Sequence, residues 1–305
     1  MRFKFVFALL VLPGFGHATT FDMPLPEFDI VGATYETEAA YEDTLLDIAR
    51  RYGLGQEQIV RANPEVDRWL PGEGTKVTIP TRYILPSVPR EGLVLNIPEM
   101  RIYYFPDIEE GETPVVQTYP VGIGRQDWGT PLGVTKITQK RENPTWTPPE
   151  SIRREHEEMG DPLPAVVPAG PDNPLGLFAM RLGITSGAYL IHGTNKVFGV
   201  GMRASHGCIR MMPEDIEYLF PQIKIGTPVN IVSEPAKVGW FGGKLYLEVH
   251  EPLEEDEVGH AELYDKAMQL IEAAEAERLV ELDDEAIQRA LTEKTGMPVP
   301  ISKEV

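Results

Sequence analysis

The chain has 305 residues, a formal charge of −19 and a single cysteine. So acidic a surface repels nucleic acid and anionic lipid, and an anionic ligand must be held by local cations. One thiol excludes an internal disulfide, so Cys208 is idle, joined to another chain, or chemically active.

Residues 1–18 read as an export signal. Arg2 and Lys4 precede an apolar run from Phe5 to Leu12, then Pro13-Gly14, and Gly16-His17-Ala18 offers a small-residue cleavage site before Thr19. The run is too short for a membrane span, which needs about 20 residues. No cysteine stands at the cleavage site to carry a lipid. A soluble protein of the periplasm is expected.

Residues 19–33 are Pro-rich and read as an irregular leader. A small unit is expected over 34–82. Asp43 or Thr44 is the N-cap of a helix whose apolar face is Leu45, Ile48, Ala49 and Tyr52, ended by Gly53. A second helix runs from about Gln56 to Ala62, and Asn63-Pro64 stops it. Pro71-Gly72 turns the chain into a strand at Lys76–Ile79. Tyr83–Arg90, with Pro86 and Pro89, reads as a stiff linker.

A mainly β domain is expected over 91–233. Strands are predicted at Leu93–Ile97, Arg101–Phe105, Val115–Val121, Val134–Thr138, Phe178–Leu182, Ala188–His192 and Thr227–Val232, a spacing that suits a sandwich or barrel. Gly122-Ile123-Gly124 lacks the third glycine and the following helix of a nucleotide loop, and reads as a tight turn. Residues 139–175 carry eight prolines; so long a loop is expected to be functional, as a lid or substrate wall. Pro213–Phe220 reads as a helix.

A third region is expected over 234–305. It opens with a hairpin from Trp240 to His250 that turns at Gly242-Gly243. An acidic break at Glu254–Asp256 follows, then an amphipathic helix from His260 to Leu282 with Leu263, Met268, Ile271, Leu279 and Leu282 on its apolar face, and a helix over Asp284–Thr295. Residues 251–305 hold 16 acidic and 5 basic side chains, so more than half the charge surplus lies there. Those acids read as a solvated face. His156, His250 and His260 stand isolated and are expected to be surface or structural residues. No spacing of metal ligands is found.

The chemistry centres on Ser205-His206-Gly207-Cys208-Ile209-Arg210, with His192-Gly193 upstream. A thiol attacks a carbonyl as thiolate, and its free pKa near ~8.5 calls for a base or cation nearby. An adjacent imidazolium and the amides of a glycine turn would lower that value, and the same amides would hold the oxyanion of a tetrahedral intermediate. Gly207, without a Cβ, allows the carbonyl to come close. On spacing alone either His192 or His206 is the base. His192 reaches across from a neighbouring strand, whereas His206 needs a special turn.

These two segments resemble the signature of the YkuD-type L,D-transpeptidases. The resemblance extends over about Glu91–Val232, through Val121-Gly122-Ile123-Gly124, Thr130-Pro131-Leu132-Gly133, Asn143-Pro144-Thr145-Trp146-Thr147-Pro148-Pro149 and Asn173-Pro174-Leu175-Gly176. It implies that Cys208 is the nucleophile and His192 the base, oriented by the Gly193 carbonyl. His206, Gly207 and Cys208 supply backbone donors, and Ser205 and His206 shape the pocket. Arg210 either binds a substrate carboxylate or supports the loop. Residues 34–82 resemble the βααβ LysM domain, which binds polymers of N-acetylglucosamine. The whole layout resembles the ErfK/YbiS group.

The implied reaction acts on peptidoglycan tetrapeptide stems. It passes through a cysteine thioester, releases D-Ala, and transfers the acyl group to an amine. The amine is a lysine of the outer-membrane murein lipoprotein or a diaminopimelate. Carbapenem β-lactams are expected to capture the thiol covalently, and neither metal nor organic cofactor is implied. The alternatives are a cysteine-dependent murein hydrolase (L,D-carboxypeptidase or amidase) and a non-catalytic wall-binding protein.

Overall fold

The structure, a computed structural model, describes residues 19–185 and 188–303, so the expected export signal at 1–18 lies outside the described residues. Among the described residues no helix is long and apolar enough to cross a membrane.

The chain opens with strand β1 (Thr19–Asp22), β2 (Ile30–Glu38), helices α1 (Leu45–Arg51) and α2 (Gln56–Ala62), and β3 (Lys76–Ile84). β2 and β3 pair antiparallel from Ile30↔Ile84 to Glu38↔Lys76, and the two helices pack on them. Thr44 caps α1 in a capping box: its Oγ1 accepts the Asp47 N–H at 3.1 Å, and Asp47 Oδ2 accepts the Thr44 N–H at 3.0 Å. Gly53 follows the helix at φ +63°, a conformation that favours glycine. Asn63 does more than stop α2. Its amide donates to the Ile59 and Thr78 carbonyls at 2.8 and 2.9 Å and accepts the Thr78 N–H at 2.7 Å, which staples the helix to β3.

The barrel domain contains β4 (Gly92–Asn96), β5 (Arg101–Phe105), β6 (Val115–Gly124), β7 (Gly133–Glu142), α3 (Glu150–Glu158), β8 (Phe178–Leu182), β9 (Leu190–His192), β10 (Arg203–Ser205), β11 (Ile209–Met211), α4 (Pro213–Leu219) and β12 (Pro228–Val232). The order β6-β11-β9-β8-β7-β12-β4-β5 returns to β6, which closes the sheet into a barrel rather than a two-sheet sandwich. Leu93, Leu95, Ile102, Val121, Ile137, Met180, Ile191 and Ile209 fill its interior. β4 is buried on both faces. Leu93 and Leu95 point inward, while Val94 packs outside with Tyr83, Leu85 and Val31. A strand covered on both sides reads as a continuous apolar run.

The last region pairs β13 (Ala236–Phe241) with β14 (Lys244–Val249), and packs α5 (His260–Glu277), α6 (Asp284–Glu293) and β15 (Val299–Pro300) against them. Where this hairpin meets the barrel, the Lys237 ammonium lies 2.8 Å from Glu99 and 2.7 Å from Glu248, with His250 Nε2 2.7 Å from Glu248. Burial opposes ionisation of Glu99, but Lys237, His250 and Arg101 outweigh it and hold its carboxyl below the ordinary value.

Several expectations change. The supposed leader is partly strand: β1 pairs with β6, and β2 starts at Ile30. The supposed linker at Tyr83–Arg90 begins inside β3, with Tyr83, Ile84 and Leu85 buried between two units. Gly122 and Gly124 lie within β6 and not in a turn. A Cβ on either would meet the carbonyl oxygen of Gly199 at 2.2 Å or of Trp128 at 1.9 Å, so glycine is needed for close approach of backbone. The amphipathic helix stops at Glu277, and Leu279 is 87% exposed because it lies past that end. His250 is not isolated but part of the buried ionic cluster.

Candidate active site

β9 and β11 run parallel, with Ile191 opposite Ile209 and His192 opposite Arg210. Ile191 and Ile209 point into the barrel core. Side chains alternate along a strand, so His192, Arg210 and Cys208 lie together on the other face. The His192 Nδ1–H donates to the Gly193 carbonyl at 2.5 Å, leaving Nε2 as the proton acceptor. Cys208 is half-buried, and its Sγ lies 3.7 Å from the Ala188 carbonyl. The register sets Arg210 directly opposite His192 and two residues from Cys208.

Their ionisation differs from the expected pairing of thiolate with imidazolium. Burial pushes His192 down to about 4, against its Gly193 hydrogen bond and helped by Arg210. Burial pushes the Cys208 thiol up, against the Leu190 N–H and Arg210. Near neutral pH the resting pair is a neutral thiol beside a neutral imidazole. The imidazole is therefore poised to take a proton during attack, in the manner of a general base.

The cysteine loop is shaped from behind. The Ser205 hydroxyl donates to the Cys208 carbonyl at 2.5 Å, and Thr130 Oγ1 donates to the Gly207 carbonyl at 2.9 Å. With both carbonyls tied, the amides of His206, Gly207 and Cys208 find no protein acceptor among the described residues. They are available to an oxyanion. Gly207 sits at φ +92°, and a Cβ there would lie 3.0 Å from Tyr189. Arg210 is half-buried, and no acidic side chain among the described residues offsets its charge.

Three neighbours hold the loop and the residues that lead into it, 200–206, from outside. Arg203 on β10 forms a fork with Glu255 at 2.6 and 2.8 Å, so one acid of the tail is not merely solvated. His206 Nε2 bonds Glu155 on α3 at 2.9 Å, and its ring lies edge-on to Trp128 at 5.3 Å. The first amides of α2, from Gln56 and Glu57, donate to Val200 and Gly201 at 3.4 and 3.1 Å. These N–H groups have no partner within their own helix. The sequence reading did not single out Thr130, Glu155, Arg203 or Glu255 for these roles. Thr130 stood in a quoted motif, but the others are single charges among many.

Residues 90–231 match the protein family described as YkuD, the L,D-transpeptidase catalytic domain. Over 97% of this chain and 95% of its own length, the probable L,D-transpeptidase ErfK/SrfK of Escherichia coli K12 is 39% identical. The chain belongs to the L,D-transpeptidase family. Among other relatives of this enzyme, the probable L,D-transpeptidase YcfS of the same organism is 43% identical over 84% of this chain and 79% of its own. The probable L,D-transpeptidase YbiS is 37% identical over 98% and 97%. The solved L,D-transpeptidase 3 of Mycobacterium tuberculosis covers 74% of this chain and 98% of its own, with 18% identity and a TM-score of 0.33.

Proposed function

We propose that this enzyme exchanges acyl groups on peptidoglycan tetrapeptide stems through a Cys208 thioester. The observation that carries the reading is His192 and Cys208 on one face of the neighbouring strands β9 and β11, beside three amides that find no acceptor among the described residues. Cys208 gives its proton to His192 Nε2 as sulfur attacks the carbonyl at the L-centre of the diamino acid. The oxyanion rests on the amides of His206, Gly207 and Cys208. Collapse breaks the amide bond, and His192 returns the proton to the departing D-Ala amine. An incoming amine then gives a proton to His192 and attacks the thioester, and sulfur leaves with that proton. Two half-reactions on one intermediate give ping-pong kinetics. Arg210 binds a carboxylate of the stem, since no acidic side chain among the described residues offsets its charge.

The work takes place in the periplasm on this reading, supported by the signal-like residues 1–18. The acceptor is a lipoprotein lysine or a diaminopimelate. Incubation with diaminopimelate tetrapeptide muropeptides and a lysine-ended peptide, read by mass spectrometry, should show loss of D-Ala and a new amide. A carbapenem should add one adduct to the intact mass. Tripeptide alone, with no amide under any acceptor, would make the enzyme a hydrolase.

The β2–α1–α2–β3 unit resembles a LysM domain, and we assign it glycan binding. Tyr41, Trp69 and Leu70 are 80, 54 and 81% exposed in its loops, an aromatic and apolar surface that suits sugar rings. Tyr41→Ala with Trp69→Ala is expected to weaken sedimentation with insoluble peptidoglycan by about tenfold, while D-Ala release from short muropeptides is unchanged. Equal sedimentation of variant and parent would remove the glycan role.

A further inference from the structure

The Pro-rich segment between β7 and β8 touches the neighbours of both catalytic residues, Gly193 beside His192 and His206 in the loop of Cys208. At its carboxyl end, Leu175 and Gly176 lie against Gly193. A Cβ on Gly176 would stand 3.0 Å from the Gly193 carbonyl carbon. At its amino end, α3 meets the cysteine loop through one side chain. Glu155 Oε2 accepts from His206 Nε2 at 2.9 Å, while Arg125 grips the same carboxylate as a fork at 2.8 and 2.9 Å. Arg125 belongs to the end of the barrel, directly after β6. Arg125 first, then His206, hold the Glu155 carboxyl down to about 2, so it is ionised across the working range. The segment is tied within itself as well, with the Asn173 amide donating to the Pro144 and Pro168 carbonyls at 2.8 and 3.0 Å.

We propose that Glu155 is a positioning residue, the latch by which α3 closes over the Cys208 thioester and decides how that thioester divides between amine and water. The proposal rests on Cys208 being the nucleophile. Glu155 touches no reacting atom; it acts through His206 and Arg125. The two fates of the thioester differ in one co-reactant. An amine gives an amide and a free thiol, whereas water gives a carboxylic acid and a free thiol. Water enters any gap, while an amine-bearing peptide follows a defined path, so a loosened lid favours hydrolysis. The Cys208–His192 pair is set by β9 and β11, and the latch holds the His206 ring rather than its backbone amide, so acylation depends on the latch far less than the partition does.

Glu155→Gln and Arg125→Gln test this on the full chain with tetrapeptide muropeptide and Nα-acetyl-lysine. Mass spectrometry reads the ratio of tripeptide to amide, and D-Ala release reads acylation. Each variant should raise the hydrolysed share by about three- to fivefold, the scale of a part-exposed ionic contact. D-Ala release should hold within about twofold, and the double variant should match either single one, because both cut the same latch. A merely structural role would move acylation and partition together. An unchanged ratio in both variants, or a fall in D-Ala release at constant ratio, overturns the latch. Retained D-Ala release by Cys208→Ala would instead overturn the nucleophile, so the two failures are distinct.

Discussion

Cys208→Ala abolishes D-Ala release from tetrapeptide muropeptides, a loss on the order of a millionfold as for other nucleophiles that act within a catalytic unit. The fold survives the change. Cys208 is half-buried at the mouth of a loop, and that loop keeps its Ser205, Thr130 and Arg203 ties, none of which needs the sulfur atom. The thermal midpoint of the variant should match the parent, and its sedimentation with peptidoglycan should persist. Cys208→Ala should also lose the carbapenem adduct, because no other thiol exists in the chain. D-Ala release at a tenth of the parent rate would refute the assignment of the sulfur.

His192 is expected to give the second-largest effect. His192→Gln keeps a polar side chain of similar reach but no proton acceptor of suitable basicity, and kcat/KM should fall by roughly ten-thousandfold. The parent enzyme carries a further signature. Burial holds His192 down to about 4, well below the usual imidazole value of 6.5. The base is thus neutral and competent above about pH 4, and the acid limb of kcat/KM should fall there rather than near 6.5. The thiol, pushed up by burial, stays protonated through neutrality, so the profile should be flat from mildly acid pH through neutrality. An acid limb centred near 6.5 would mean that the ring is more exposed than the structure has it.

The same shift bears on stability. An imidazole whose folded value lies below its free value binds protons more readily in the unfolded chain. The stability tied to His192 is therefore complete above about pH 6.5 and is lost as the pH falls through 4. A difference of this size corresponds to roughly 3 kcal/mol, a visible fraction of the stability of an ordinary domain. His192→Gln should flatten the pH dependence of the thermal midpoint between those limits.

Local signals carried much of the fold. Arg101–Phe105 and Phe178–Leu182 are strands at the expected bounds, and α1 is capped by Thr44, one of the two expected caps. These elements follow from near-neighbour chemistry: apolar runs between turns, or a hydroxyl followed three residues later by a carboxylate. α3 was hidden, because its high charge and the prolines around it read as loop. The short strands β10 and β11 were hidden too. Three residues in a strand carry no periodicity, and both exist only because β6 and β9 lie alongside.

The site divides in the same way. Residue chemistry and spacing singled out Cys208, Gly207 and the two histidines, with Arg210 as a nearby cation, and left the choice of base open; the roles of Gly193 and Ser205, and His192 as the base, came from the family resemblance. Ser205 was expected to shape the pocket, and the structure gives it a bond to the Cys208 carbonyl. The ionisation of the pair was not legible. Adjacent histidine and cysteine imply mutual activation, yet the burial that pushes one down and the other up arises only in the folded chain.

What the amino-acid sequence determined by itself was the chemical inventory: one thiol, two histidine–glycine pairs, an acidic surface and the local elements that carry them. Tertiary structure decided which face the thiol and imidazole share, that burial opposes ionisation of both, and that Glu155 holds the cysteine loop while Glu255 holds β10 before it. The physical reason is range. Capping, turn chemistry and side-chain periodicity act over a few residues, whereas desolvation and ion pairing depend on groups that meet only when the barrel closes.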